Sequence, residues 1–209
     1  MKFMIINNFI VFEGIDGAGT TTQLKKLKEV FSEDELEITA EPTSLETGKF
    51  LRRLLKGEFE ADPKTAAFLF AADRCEHIWG KGGVYEKCES GKIVVSDRYI
   101  FSSLAYQGVS AGTALPEKLN EDFPLPRLLF YFKINPEVSL KRVLSRGGNL
   151  EIYEKLEYQK QTAANFDRVI GEYDGTPKGS GMKVITIDAE KTPEEIHQII
   201  LKEIESLKK

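Results

Sequence analysis

Residues 9–24 read F-I-V-F-E-G-I-D-G-A-G-T-T-T-Q-L, and no other stretch of the chain constrains the fold as tightly. An apolar, β-branched and aromatic run ends in a glycine loop, and Leu24, Leu27 and Phe31 then recur at helical spacing from Thr20 onward. Strand, glycine loop and helix in that order form a unit whose loop amides and helix N-terminus can cradle an anion. Gly14 and Gly19 stand where a phosphate-binding loop, G-x-x-x-x-G-K-[ST], has its two glycines, with Ile15, Asp16, Gly17 and Ala18 between them. Thr21 occupies the [ST] position, whose hydroxyl serves Mg²⁺, and Thr22 follows it. The lysine position holds Thr20 instead, so the loop lacks the cation that such loops bring to nucleotide phosphates. An ordinary tight turn is the competing reading of the two glycines.

The rest of the chain alternates in the same way. Residues 36–40, 92–96, 128–134 and 182–187 read as further strands, and Asp62-Pro63, Asn135-Pro136-Glu137 and Thr192-Pro193-Glu194 read as cap-and-proline helix starts. The last of these opens an amphipathic helix with Ile196, Ile199, Ile200 and Ile204 on one face. The expected architecture is α/β: a three-layer, doubly wound parallel sheet of five strands.

Composition narrows the functional classes. With 209 residues, 41% of them hydrophobic, one fold unit with a small mobile appendage is expected. Lys and Arg number 29 against 33 Asp and Glu, a net charge of −4, which argues against a nucleic-acid partner held by a general basic field. Cys75 and Cys88 lack any metal-ligand or redox spacing and read as reduced thiols of a cytoplasmic protein. The N-terminal apolar run is broken by Asn7-Asn8 and is too short for a leader or membrane segment, so it reads as the first strand.

In doubly wound sheets ligands bind beyond the carboxyl ends of the strands, so the residues that follow each strand carry most information. After the third strand comes S-D-R-Y, residues 96–99, where Asp97 can hold a metal's water shell and Arg98 offers a planar fork to a phosphate; a surface salt bridge is the alternative. On the long helix Phe70 and Arg74 share a face, a ring beside a five-donor cation, which suits a nucleobase. The alternative puts Phe70 in the core and pairs Arg74 with Asp73 or Glu76. S-S-L-A-Y-Q-G, residues 102–108, adds a phenol and the Gln107 amide, which could read a base edge or cap a turn.

Taken together, F-E-G-I-D-G-A-G-x-T-T-Q, E-P-T at 41–43, L-F-A-A-D-R-C-E-H at 69–77, S-D-R-Y and S-S-L-A-Y-Q-G resemble the thymidylate kinase family of P-loop nucleoside monophosphate kinases, in that family's order. The motifs cover about the first half of the chain. The resemblance implies phosphoryl transfer from ATP to dTMP with Mg²⁺, and a homodimer. It also implies roles. Phe70 would stack on thymine, Arg74 would donate to a thymine carbonyl, and Gln107 with Ser103 would read the remaining polar edge. Asp16 would take the sugar 3′-hydroxyl and Tyr106 would pack beneath the sugar. Arg98 and Arg52 would grip the dTMP phosphate, while Asp97 and Glu41 would orient the magnesium water shell.

Three departures from the family pattern bear on charge. Thr20 is the first. The second is Y-F-K-I at 131–134, which places Lys133 where the family has a carboxylate or amide. Lys133 at that strand end is expected to swing toward the ATP phosphates and replace the lost lysine, unless it turns to solvent or pairs with Asp16 or Asp97. The third concerns the lid expected at 146–158 to close over ATP: Gly17 stands where some members have a loop arginine, and the lid region supplies only Arg146, with Arg142 one helical turn before it, plus Lys155. A homologue impaired in catalysis, and a kinase of another nucleoside monophosphate, are the alternative functions.

Overall fold

The computed structural model describes residues 4–145 and 155–207. Its elements follow the order β1 (Ile5–Gly14), α1 (Thr20–Val30), β2 (Leu36–Ala40), α2 (Glu46–Leu55), α3 (Pro63–Trp79), α4 (Val84–Glu89) and β3 (Ile93–Asp97). Then come α5 (Ile100–Ser102), a π-helical turn (Ser103–Gln107), α6 (Gly108–Ala111), α7 (Ala114–Asn120), β4 (Leu125–Lys133), α8 (Pro136–Leu144), α9 (Leu156–Tyr173), β5 (Lys183–Asp188) and α10 (Pro193–Leu207). The five strands form one parallel sheet in the order β2-β3-β1-β4-β5, the α/β architecture expected from the sequence.

Local chemistry accounts for the helix starts. Asp62 accepts a hydrogen bond from the Lys64 N–H at 2.9 Å, and Asn135 accepts one from the Glu137 N–H at 2.8 Å, each with proline at the first helical position. At α10, Thr192 and Glu195 form a reciprocal capping box. The strands are near-continuous apolar runs because helices cover both faces of the sheet. In β1, Phe9, Ile10, Val11 and Phe12 are fully buried. Phe12 packs on Phe130 and Phe132 of β4, with ring centroids 5.3 and 5.2 Å away.

The sheet order sets the site. β1 and β3 run side by side with Phe12 opposite Asp97, so the glycine loop after β1 emerges next to Asp97 and Arg98. A Cβ on Gly14 would lie 2.8 Å from the Phe132 carbonyl oxygen, so only glycine lets β1 approach β4 there. Gly19, with φ of 99°, takes the left-handed turn that starts α1.

Phe166 of α9 links core and site. It is fully buried, stacks on Tyr131 at 5.6 Å and meets Tyr106 edge-on at 6.0 Å. Phe166→Ala should cost about 3–5 kcal/mol, the usual range for truncating a buried aromatic. Urea denaturation would measure it, and a loss below about 1 kcal/mol would contradict this packing.

Candidate active site

Two of the cavities at the carboxyl edge of the sheet hold the residues singled out by the sequence. The first, of about 370 Å³, is lined by residues that include Asp16, Glu41, Arg52, Phe70, Arg74, Arg98, Ser103, Tyr106 and Gln107. Side chains from α2, α3, the π-helical turn and the ends of β1 and β3 thus converge, including every residue that the resemblance assigned to the monophosphate. The second, of about 270 Å³, is lined by Gly17, Ala18, Gly19, Thr22, Gln23, Arg142, Ala189, Lys191, Pro193 and Ile196.

Arg98 lines the first cavity and ties it to the start of the glycine loop. It is the one residue other than glycine with positive φ, 73°, among the described residues. Its guanidinium donates to the Gly14 carbonyl at 3.1 Å, to Ser102 Oγ at 3.0 Å and to the Asp16 carboxylate, and lies 5.0 Å from the centre of the Tyr106 ring. Burial acts to lower its pKa, but Tyr106, Asp16, Asp97 and Glu13 around it raise it further, so the charge is permanent. Tyr106 and Gln159 donate to the other Asp16 carboxylate oxygen at 3.1 and 3.0 Å. Burial drives the Tyr106 phenol well above its ordinary value, which keeps it a neutral donor. Arg52, from α2, donates to the carbonyls of Pro42 and Thr43 at the cavity rim.

Arg74 is buried, and its guanidinium donates to Glu41 at 2.6 Å, Ser103 Oγ at 3.0 Å, the Tyr99 carbonyl at 3.2 Å and Asn120. Asp73 turns away, accepting from the Thr43 N–H and from the hydroxyls of Thr43 and Thr47. The surface pairing considered for Arg74 is therefore absent. Two buried polar atoms of this cavity's lining residues lack a partner among the described residues: Arg74 Nε, a donor, and Gln107 Oε1, an acceptor.

Some expectations are corrected. Glu41 does not lie free for a metal's water shell: its oxygens are taken by Arg74 and, at 2.9 Å, by His77 Nδ1, inside a buried network that Thr39 extends. Lys133 does not turn toward the glycine loop, and it pairs with neither Asp16 nor Asp97. Its Nζ lies 2.8 Å from both carboxylate oxygens of Asp167 on α9. The reason is strand parity. Gly14 lies opposite Phe132, whose Cβ faces the glycine loop, so Lys133 projects to the other face, as Tyr131 does, and meets α9. Arg146 and residues 146–154 of the expected lid lie outside the described residues. Residues 156–158, the end of the expected lid, form the first turn of α9.

The Thr20 hydroxyl lies beside the Asp97 carboxylate and favours its charged form. Burial raises the Asp97 pKa, Arg98 and the Thr20 hydroxyl pull it down, and Asp16 raises it, with a net upward shift. Cations at the glycine-loop cavity come instead from Arg142, which donates to the Ala189 carbonyl at 3.0 Å, and from Lys191. The sequence reading missed Lys191, together with Gln159, Asn120, His77 and Glu13. Lys191 had a usable signal: it directly precedes the Thr192 cap of α10, just after the fifth strand.

A phosphate-binding loop at the end of β1, an arginine-lined cavity beside it and a five-stranded parallel sheet together define a P-loop nucleotide kinase fold. The thymidylate kinase family model matches residues 12–200. A putative thymidylate kinase of Treponema pallidum is 40% identical over 94% of each chain. A thymidylate kinase of Leptospira borgpetersenii is 38% identical over 91% of this chain and 89% of its own. A probable thymidylate kinase of Methanocaldococcus jannaschii is 36% identical over 95% and 96%. The chain belongs to the thymidylate kinase family.

The Lys133–Asp167 pair is half exposed on both sides, and such pairs contribute about 0–1 kcal/mol. Lys133→Met should therefore keep turnover within about threefold of wild type and lose less than about 1 kcal/mol of stability. Steady-state kinetics check it, and abolished transfer would restore Lys133 as the replacement cation.

Proposed function

We propose that this chain transfers the γ-phosphoryl group of ATP to dTMP, giving dTDP for pyrimidine deoxynucleotide synthesis. One observation carries the choice of base. Among the residues lining the larger cavity, a buried donor, Arg74 Nε, and a buried acceptor, Gln107 Oε1, stand without partners. Buried polar groups left unpaired are costly, so the cavity favours a ligand that presents a carbonyl and an N–H side by side. Thymine does so at O4 and N3–H, as the larger guanine does at O6 and N1–H, whereas cytosine presents the reverse pattern. Phe70 supplies the stacking ring, Ser103 a further hydroxyl, and Tyr106 the floor beneath a sugar whose 3′-hydroxyl goes to Asp16.

The acceptor needs no general base, because a phosphate monoester has its second pKa near about 6 and is largely a dianion at neutral pH. Bringing two polyanions in line is the difficulty, so catalysis consists of positioning and charge neutralisation. Arg98 and Arg52 hold the dTMP phosphate. The amides from Gly14 through Thr22 cradle ATP, and Arg142 and Lys191 supply the positive charge that Thr20 does not. Arg146 and the lid at 146–158 close over the nucleotide.

The oxygen donors beside the loop suit magnesium. Thr21 lies in the first turn of α1 and Asp97 ends β3, while no group of three or more His, Cys, Asp or Glu that could cage a metal exists among the described residues. Magnesium held mainly by phosphates, with one or two protein oxygens, matches such a donor set. When bound it neutralises phosphate charge.

A homodimer is part of the same reading. Phe68, Ala72, Cys75 and Trp79 recur along one side of α3 and are all exposed, and the Tyr85 ring packs at a tilt against Trp79, centroids 5.2 Å apart. An apolar helical stripe of this kind suits a second copy of the chain. The reading further includes a cytoplasmic protein: among the described residues both cysteines are free, and no helix is long and apolar enough to cross a membrane.

A coupled assay with ATP, Mg²⁺ and a panel of monophosphates tests the activity. Turnover is expected with dTMP far above dCMP, and Arg98→Ala should raise the dTMP KM about 100-fold, as for loss of a charge-assisted phosphate contact. Equal turnover on dCMP would overturn the base assignment. Trp79→Asp should convert the dimer to monomer in light scattering without unfolding it; an unchanged mass would exclude α3 as the contact.

A further inference from the structure

Glu13 is a carboxylic acid inside the central strand, fully buried, and no step of the phosphoryl transfer uses it. A core position opposite Tyr131 would ordinarily be apolar, because burial disfavours a charged carboxylate. Here burial raises the Glu13 pKa to about 7, against the lowering pull of Ser102, Arg98 and the Tyr99 amide. Such a group needs a reason to be present.

Its hydrogen bonds supply one. Oε1 accepts the N–H groups of Tyr99 at 2.8 Å and of Ser102 at 3.0 Å, and Oε2 accepts the Ser102 hydroxyl at 2.5 Å. These are the residues that follow Arg98, whose left-handed φ of 73° is unfavourable for a side chain with a Cβ. Upstream, the turn is held by the Arg98 N–H on the Phe12 carbonyl at 2.9 Å and by the Ser96 hydroxyl on the Arg98 carbonyl at 2.7 Å. Downstream, Glu13 takes the Tyr99 and Ser102 N–H groups, while Arg74 donates to the Tyr99 carbonyl at 3.2 Å. With its proton committed to Glu13, Ser102 turns its oxygen lone pairs toward Arg98 Nη1, 3.0 Å away. The chain of contacts thus runs from Glu13 through Ser102 to the guanidinium.

We propose that Glu13 is a positioning residue for the monophosphate site: it pins the strained turn after β3 and, through the Ser102 hydroxyl, aims the Arg98 guanidinium at the acceptor phosphate. The inference rests on the reading of Arg98 as the dTMP phosphate clamp. It separates Glu13 from the other acids nearby: Asp16 touches the guanidinium directly, and Asp97 lies beside the Thr20 hydroxyl on the glycine-loop side.

The test is a double-mutant cycle on Ser102→Ala and Glu13→Gln, with Arg98→Ala as reference. Ser102→Ala leaves both backbone hooks in place and should raise the dTMP KM about tenfold, the usual worth of a hydrogen bond to a charged group, with the ATP KM within about twofold. Glu13→Gln should shift the dTMP KM in the same direction, and the double variant should be no worse than the worse single, since both interrupt one relay. An unchanged dTMP KM in Ser102→Ala, or equal rises in the dTMP and ATP KM values, would overturn the proposal. So would fully additive losses in the double variant. If Glu13→Gln fails to fold, Ser102→Ala decides alone, because alanine suits the helical position it would occupy. An Arg98→Ala enzyme with normal dTMP KM would remove the clamp reading itself, whereas a damaged Arg98→Ala beside an unaffected Ser102→Ala would remove only the role of Glu13.

Discussion

The Arg98 guanidinium and backbone tie together the two turns on which everything at the carboxyl edge of the sheet depends. Its N–H bonds the last fully buried aromatic of β1, and its side chain reaches the carbonyl of Gly14 and the carboxylate of Asp16. The glycine loop and the turn after β3 are therefore bonded to each other through one residue, and the proposed phosphate sites lie on either side of it. A permanent cation here is surrounded by Asp16, Asp97, Glu13 and Tyr106, so it must be held by geometry rather than by scarcity of partners. The left-handed backbone at Arg98 is the local strain accepted for that placement.

Charge is distributed around this node in a way that the loop motif does not show. Without a lysine, the glycine loop keeps its amides and helix N-terminus, while the Thr20 hydroxyl lies beside Asp97. Side-chain cations come from other elements: Arg52 from α2 on the acceptor side, and Arg142 of α8 with Lys191 before α10 on the glycine-loop side. A lysine on the loop itself would sit in one rigid position; cations carried by separate helices depend on how those helices pack. In the third group, the buried set Thr39–His77–Glu41–Arg74, the acid is paired with Arg74 and His77.

Much of the fold was legible because its signals are local. The apolar runs of a parallel sheet, the proline-plus-cap helix starts at Asp62, Asn135 and Thr192, and the glycine spacing of the loop are properties of short segments. Strand ends moved by a few residues, as at β4, which begins at Leu125 rather than Leu128 because Leu125 and Pro126 pair with Ile5 and Ile6. The acceptor-site residues were legible through family motifs, and the structure gathers them around one cavity. The exposed stripe on α3 was readable as positions 68, 72, 75 and 79, yet surface and core stripes look alike until burial is known.

The sequence by itself determined the layered α/β fold, the phosphate-binding loop and the set of aromatic, amide and guanidinium groups that a nucleotide site requires, since each is written in spacing within one element. Tertiary structure alone decided which way those groups point and whom they serve. Lys133 goes to Asp167 because the register of β4 against β1 puts Phe132 on the loop side, and register is a relation between strands more than a hundred residues apart. Glu41 meets Arg74 and His77, and Glu13 meets Tyr99 and Ser102, for the same reason. A buried carboxylate must find donors, and which donors surround it is settled only when the sheet and its helices close.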